Sequence, residues 1–298
     1  MVFVGRTETA RADRVRGINL KSARRRLESQ TEVCATYSAL SIRNPMSLSN
    51  PTILRFESID STNLEAMRQA RAGAAEGLCI VAREQTQGRG RLDRSWQSPK
   101  DAGLYCSVVL RPRLDVSAWP LITLMTALAA CDALGKACGL RADIKWPNDI
   151  YFNERKLGGI LAETVETKKG QAAVVGVGIN LKADSLPPTV SDLAISVEQV
   201  TGERTDSTKV LTELLLALDE RYQLLQSPLG REHTIREWCA NSSYAMGRQV
   251  RVALAHDTFD GTTRGLESDG ALRVELPDGK IRLVRAGDVT ALRPTKNM

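Results

Sequence analysis

Three Asp-Gly dipeptides, Asp260-Gly261, Asp269-Gly270 and Asp278-Gly279, recur every nine residues near the end of this 298-residue chain. Around them lie the alternating runs Arg248–Ala255, Ala271–Leu276 and Lys280–Arg285. Asp-Gly supplies the left-handed backbone that tight hairpins require, and short strands punctuated every eight to twelve residues predict a small antiparallel β-barrel. Nothing upstream keeps this rhythm. The spacing therefore predicts a domain boundary near residue 245, with a larger domain before it.

The larger domain reads as α+β. TILRFESI is a predicted strand, and a helix should open at Asp60-Ser61-Thr62-Asn63, where Thr62 and Glu65 have capping-box spacing. The helix should stop near Gly73. Leu78–Ala82 and Leu104–Leu110 are predicted buried strands separated by a Gly- and Arg-rich loop over 85–97. Ser117–Lys136 is a predicted apolar helix closed near Gly139. A β-rich block follows: 142–146, 150–152, 159–164 and 172–179, with a hairpin turn at Asn153-Glu154-Arg155. Pro187-Pro188 marks a loop. Helices are expected over 207–226 and 231–241, the first carrying a stripe of Val210, Leu211, Leu214, Leu215, Leu218, Tyr222 and Leu225.

Charge narrows the class of partner. The formal net charge is +6, from 41 basic and 35 acidic residues. Residues 1–45 hold nine of the basic and four of the acidic side chains, so the leader carries +5 and the remainder +1. The folded body thus has no polyanion-binding excess. Residues 1–50 lack apolar periodicity and read as a disordered basic leader, with Met46 a candidate native start. The first residues contain no apolar secretory core. No uninterrupted run reaches the roughly 18 apolar residues of a membrane span; Trp119–Leu140 is broken by Pro120, Asp132 and Lys136. Six cysteines form no C-x-x-C pair, and several lie in apolar stretches, as reduced core thiols of a cytoplasmic protein do. The two histidines, His233 and His256, are far apart, which leaves little material for a zinc site or a Ser-His-Asp triad. No metal-ligand set is identified.

Four polar or Gly-rich segments exceed what packing asks for. Asp60-Ser61-Thr62-Asn63 has the ordinary reading of a helix cap, yet a cap needs one such residue and here there are four. Their hydroxyls and amide suit an uncharged polar ligand. The loop from Glu84 to Trp96 contains Gln85 and the run Gly88-Arg89-Gly90-Arg91-Leu92-Asp93-Arg94. It reads either as a mobile surface loop or as an anion site, since glycines admit backbone N–H groups to phosphate and guanidinium groups chelate its oxygens. It is neither a P-loop nor a dinucleotide fingerprint. In Lys145-Trp146-Pro147-Asn148-Asp149 a lysine leaves a strand just before a turn, an odd place for a solvated charge. In Lys156-Leu157-Gly158-Gly159-Ile160-Leu161 and Gly176-Val177-Gly178-Ile179-Asn180, glycines interrupt strands, which weakens them unless something approaches the backbone closely. A flat ligand on the sheet would do so.

Taken in order, DSTN, GRGR followed by Trp, KWPND, RKLGGIL-E and GVGIN resemble the biotin–protein ligases over about residues 53–295. The resemblance implies a catalytic domain over 51–244 like the class II aminoacyl-tRNA synthetase core and an SH3-like barrel over 245–298. It implies two reactions: biotin and ATP give biotinyl-5′-AMP and diphosphate, then a lysine of a biotin carboxyl carrier domain takes the biotinyl group and releases AMP. By the same resemblance Ser61, Thr62, Asn63 and Gln85 hold the biotin ureido ring, and Arg89, Gly90 and Arg91 belong to the loop closing over biotin and phosphates. Lys145 bridges the biotin carboxylate and the α-phosphate, with Arg91 as its catalytic companion. Gly158 and Gly159 make room for the bicycle, Asn180 meets adenine, and Arg94, Trp96, Asn148 and Arg293 complete the ATP side. Mg²⁺ is expected with ATP, held mainly by phosphates.

Leu92-Asp93 departs from the Gly or basic residues common in relatives and bears on loop closure. Bifunctional members carry an N-terminal winged helix-turn-helix; the 50-residue leader is too short and too polar for one, so no specific DNA binding is expected. Two copies pairing through a sheet edge fits the family. The rivals are a lipoate or octanoate ligase or transferase of the same fold, a biotin-responsive transcriptional regulator, and a metabolite-binding protein without turnover.

Overall fold

The computed structural model describes residues 51–186, 190 and 192–292. The leader over 1–50 with Met46, the Pro187-Pro188 loop and Arg293 lie outside the described residues. The larger sheet contains β1 (Ile53–Phe56), β2 (Cys79–Ala82), β3 (Gly103–Leu110), β4 (Asp143–Lys145), β5 (Asp149–Phe152), β6 (Arg155–Thr167) and β7 (Gly170–Asn180). Their order is β1-β2-β3-β7-β6-β5-β4; β1 and β2 run parallel and every other neighbour is antiparallel. Strand alternation gives β7 two characters. Ala173, Val175, Val177 and Ile179 join the main core beneath the long helix α2 (Pro120–Cys138). Ala172 and Val174 join a smaller cluster with Ala66, Met67 and Ala70 of α1 (Thr62–Arg71) on the opposite face.

Helix α2 begins with Pro at its first turn, where no N–H is needed, and ends at Gly139, whose φ of 65° is left-handed. Its apolar length matches that of a membrane span. Here most of it is buried between the sheet, α4 (Ser207–Leu225) and α5 (Gly230–Ala240). Helix α4 buries the whole predicted stripe from Val210 to Leu225. A short helix α3 (Val197–Thr201), absent from the periodicity, is set by a capping box between Ser196 and Gln199. The capping box expected at Thr62 and Glu65 does not form. Ser61 is the N-cap, its side chain makes no capping bond, and Glu65 instead accepts from Arg68 and Gln69, both at 2.7 Å.

A second, all-antiparallel sheet is formed by β8 (Met246–Ala253), β9 (Thr258–Leu266), β10 (Leu272–Glu275), β11 (Ile281–Val284) and β12 (Asp288–Ala291), in the order β11-β10-β9-β8-β12. Asp269-Gly270 and Asp278-Gly279 are turns, each glycine at φ 83°. Asp260-Gly261 is not. It lies within β9, opposite Arg251 and Val250, because the β8–β9 connection falls earlier, over 254–257. Gly261 is needed for a different reason: a Cβ there would sit 2.5 Å from the Glu275 carbonyl oxygen. The two sheets share one core, in which Val250, Val252, Leu272 and Val274 are continuous with α2. Trp146 Nε1 donates to the Gly270 carbonyl at 3.1 Å across the junction.

Gly261→Ala should therefore destabilise the protein by about 1–3 kcal/mol, the usual cost of overpacking. Asp260→Asn, which removes only an exposed pairing with Arg251, should cost less than about 1 kcal/mol. Urea denaturation midpoints of the two variants separate close packing from a turn role.

Candidate active site

Beyond the N-terminus of α1 the sheet continues, but its side chains do not. Gly176 and Gly178 of β7 and Gly159 of β6 share the α1 face and leave a bare floor. A cavity of about 360 Å³ stands on it, bounded by the α1 N-terminus, the 85–97 loop, the KWPND turn and the start of β12. The chain's own groups already use the floor. The Asn63 side chain lies over Gly176, where a Cβ would fall 2.2 Å from Asn63 Oδ1. The Trp96 indole lies over Gly178 and Gly159, where Cβ atoms would fall 2.7 and 3.3 Å from the ring. The glycines thus first admit Asn63 and Trp96. The buried indole N–H has no acceptor among the described residues.

At one end of the cavity the polar side chains are mutually fixed and uncharged apart from Glu163, whose carboxylate is shared with Arg89. Gln85 Oε1 accepts from Thr62 N at 2.8 Å and from Thr62 Oγ1 at 3.1 Å. Ser107 Oγ lies 2.7 Å from Thr62 Oγ1 and 2.6 Å from Asn63 Oδ1. The Asn63 amide donates to the Leu161 carbonyl and to Glu163, at 3.1 and 2.8 Å. Gln85 Nε2 donates to Ser98 Oγ at 2.8 Å. Ser61, Thr62, Asn63 and Ser107 are buried. Such a wall suits a neutral polar group, because an apolar one would remove water from it and return no hydrogen bond.

The other end is cationic. Arg89 pairs with Glu163 at 3.0 Å, Lys156 with Asp149 at 2.6 Å, and Arg94 with Asp288 of β12. Two cations have no carboxylate partner among the described residues. Arg91 reaches the Asn148 Oδ1 and the Gly287 carbonyl, both at 3.4 Å. Its burial pulls the guanidinium below the ordinary arginine value, though arginine stays charged at neutral pH. Lys145 donates to the Tyr151 hydroxyl at 3.1 Å and faces the rings of Tyr151 and Tyr244, 4.7 and 5.9 Å from their centroids. Burial pushes the Tyr151 phenol up to about 12, so it stays neutral beside the ammonium. Trp146–Pro147, which follows Lys145, is a cis peptide.

Of the residues singled out in the sequence, Ser61, Thr62, Asn63, Gln85, Arg89, Gly90, Arg91, Arg94, Trp96, Lys145, Asn148 and Gly159 all line this one cavity. Gly158 does not; its Cα faces the Gly178 carbonyl oxygen, where a Cβ would fall at 2.8 Å. Asn180 stands outside the cavity wall, its amide donating to the carbonyls of Ile195 and Lys156 at 3.2 and 3.4 Å. Arg293 lies outside the described residues. Lys156, Asp149, Tyr151, Ser107, Glu163 and Asp288 belong to the site without having been selected. Ser107 was hidden inside an apolar strand, whereas Lys156 carried a signal, a lysine preceding two strand glycines.

The cavity thus has a polar, largely uncharged end and an end with an excess of cations. Residues 55–180 match the biotin/lipoate A/B protein ligase family and residues 245–290 the biotin protein ligase C terminal domain. The chain is 34% identical over 238 residues to the biotin–[acetyl-CoA-carboxylase] ligase of Paracoccus denitrificans, covering 77% of this chain and 96% of that one. It is 34% identical over 236 residues to the bifunctional ligase/repressor BirA of Bacillus subtilis, covering 78% and 71%. The biotin protein ligase of Aquifex aeolicus in complex with biotin and ATP superposes with a TM-score of 0.71 at 28% identity, over 81% of this chain and 99% of that one. The chain belongs to the biotin protein ligase family.

Ser107→Ala should destabilise the fold by about 1–3 kcal/mol by leaving Asn63 Oδ1 buried without its donor. Ser107→Thr, which keeps the hydroxyl, should recover part of the loss. Paired denaturation curves check both.

Proposed function

We propose that the protein is a biotin–[acetyl-CoA-carboxylase] ligase: it activates biotin with ATP and transfers it to a lysine of a carboxyl carrier domain. The observation that carries this reading is the pair of cations, Arg91 and Lys145, that have no carboxylate partner among the described residues and face a cavity whose far end is polar. Biotin combines a neutral urea with a carboxylate, and ATP brings further anions. The urea belongs against Ser61, Thr62, Asn63 and Gln85, and the carboxylate points toward the cations.

In the first step a biotin carboxylate oxygen attacks the α-phosphorus, a P–O bond to diphosphate breaks, and biotinyl-5′-AMP forms. Two anions must meet, so fixed cations offset both their repulsion and the charge that develops at phosphorus. Strand register orders the lysines. Lys145 is opposite Asp149, Asp149 opposite Gly159, and Gly159 opposite Gly178. Lys145 thus stands about three strand spacings, roughly 14 Å, from the Gly178 side of the floor. Lys156, over the Trp96 ring at 5.3 Å, is nearer the bicycle end. We assign Lys156 to the biotin carboxylate side of the α-phosphate and Lys145 to its outer side. Arg89, Arg91, Arg94, Trp96 and Asn148 serve the nucleotide, and closure of the 85–97 loop keeps water from the anhydride. In the second step the acceptor amine attacks the acyl carbon, the amide forms, the C–O bond to AMP breaks, and the amine's proton leaves to solvent.

Among the described residues no cluster of three His, Cys, Asp or Glu side chains could cage Mg²⁺. Asp149, Asp288 and Glu163 are each committed to a cation. The described residues thus provide no protein cage for the ion. The polar wall favours biotin over lipoate, whose dithiolane would displace water from Thr62, Asn63 and Gln85 and return no hydrogen bond. The same reading takes the larger sheet as a class II synthetase-like core and the smaller as an SH3-like barrel. It places the reaction in the cytoplasm, in keeping with the free cysteines. Pairing of two copies is compatible with it, and operator binding forms no part of it.

Biotin-dependent ATP–diphosphate exchange is the test. The wild type should exchange with biotin and not with lipoate. Lys145→Ala and Lys156→Ala should each lower exchange by about 10²–10³-fold with an unchanged circular dichroism spectrum. A wild-type protein inert with biotin would overturn the assignment.

A further inference from the structure

The tip of the 85–97 loop holds an unusual turn. Arg94 N donates to the Arg91 carbonyl at 3.2 Å, and the two residues between, Leu92 and Asp93, are both left-handed, with φ of 53° and 58°. Hairpin turns of this kind favour Asn-Gly; a leucine there is strained. Something must hold the tip in place, and the holding groups come from the other sheet. Arg94 reaches both carboxylate oxygens of Asp288, the first residue of β12, and Arg91 reaches the carbonyl of Gly287 immediately before it. Gly287 itself is fixed in the left-handed half of the map, at φ 145°, and a Cβ there would fall 2.8 Å from the Ala253 carbonyl oxygen. The anchor is therefore sterically fixed, and the turn it holds is strained.

Asp288 also lines the cavity, beside Arg91 and Arg94. An acidic side chain so close to the expected triphosphate is unfavourable once the nucleotide arrives, and the guanidinium it holds is one the phosphates need. We infer that Asp288 is a positioning residue: it latches the loop to the C-terminal sheet while the site is empty, and it surrenders Arg94 to phosphate when ATP binds. The latch half stands on the geometry alone; the exchange half rests on the proposed nucleotide site. The latch has the strength of a partly exposed ion pair, so it shifts the loop's open population severalfold without locking it.

Limited trypsin digestion of the full-length protein, with cleavage after Arg91 followed by mass spectrometry, reads this directly, because cleavage tracks the open population when opening is fast. Without ligands, Asp288→Asn should raise the rate of that cut roughly two- to fivefold. Biotin with ATP should bring wild type and variant to the same low rate, since phosphate then holds Arg94. The charge-swapped double variant Arg94→Asp/Asp288→Arg should regain ligand-free protection, but ATP should not protect it further. A structural role for Asp288 in β12 would not be rescued by the swap. Equal cutting of wild type and Asp288→Asn without ligands would overturn the latch. Protection by the latch but none by biotin with ATP would overturn the exchange half, while diphosphate exchange by the wild type reports separately on the ligase reading.

Discussion

The site depends on what three glycines omit. Gly159, Gly176 and Gly178 strip one face of the central sheet at the point where α1 ends, and the open floor lets Asn63 and Trp96 lie against backbone. Each glycine interrupts a strand and gives up side-chain packing there. That loss is tolerable because both neighbouring strands are long and well paired, and because the other face of β7 is a continuous apolar layer under α2. A weak face on a strong sheet is the constraint from which the cavity, its lid and its polar wall all follow.

Electrostatics then divides the cavity. Glu163, Asp149 and Asp288 each absorb one cation, so the local excess charge reduces to Arg91 and Lys145. Lys145 is kept by aromatic faces and a neutral phenol instead of a carboxylate, which holds its ammonium in position without cancelling it. Overall charge says little about this. Residues 1–45 contribute +5 of the formal +6, and the charge that matters at the cavity is the local excess of Arg91 and Lys145.

Much of this was legible beforehand, for identifiable reasons. Helices α2 and α4 announce themselves because their apolar residues repeat over five turns, and most of the cavity wall was visible as polar residues clustered where no packing demand explained them. What stayed hidden has physical causes as well. Asp260-Gly261 imitates a turn because Asp-Gly is also what a close strand crossing can require. The Thr62–Glu65 spacing imitates a cap, but the hydroxyl is drawn to Gln85 and Ser107, groups distant in sequence. Ser107 was invisible because one hydroxyl in an apolar strand reads as noise until its partners are folded around it. Lys156 carried a partial signal in the glycines that follow it, but its pairing with Asp149 emerges only when β5 and β6 align.

The junction between the sheets has a consequence for how such a protein comes apart. Trp146, which follows one of the site's lysines, is anchored by its indole N–H to the Gly270 carbonyl, and Leu121 and Leu124 of α2 close against that same glycine. The smaller sheet is therefore the lid of the larger one's hydrophobic core as well as a neighbour of its cavity. Severing the chain near residue 245 would uncover apolar surface on α2 and release the KWPND turn in the same event. Loss of solubility and loss of the cationic end of the cavity are coupled, so the two halves are better regarded as one cooperative folding unit than as modules that evolution could exchange freely.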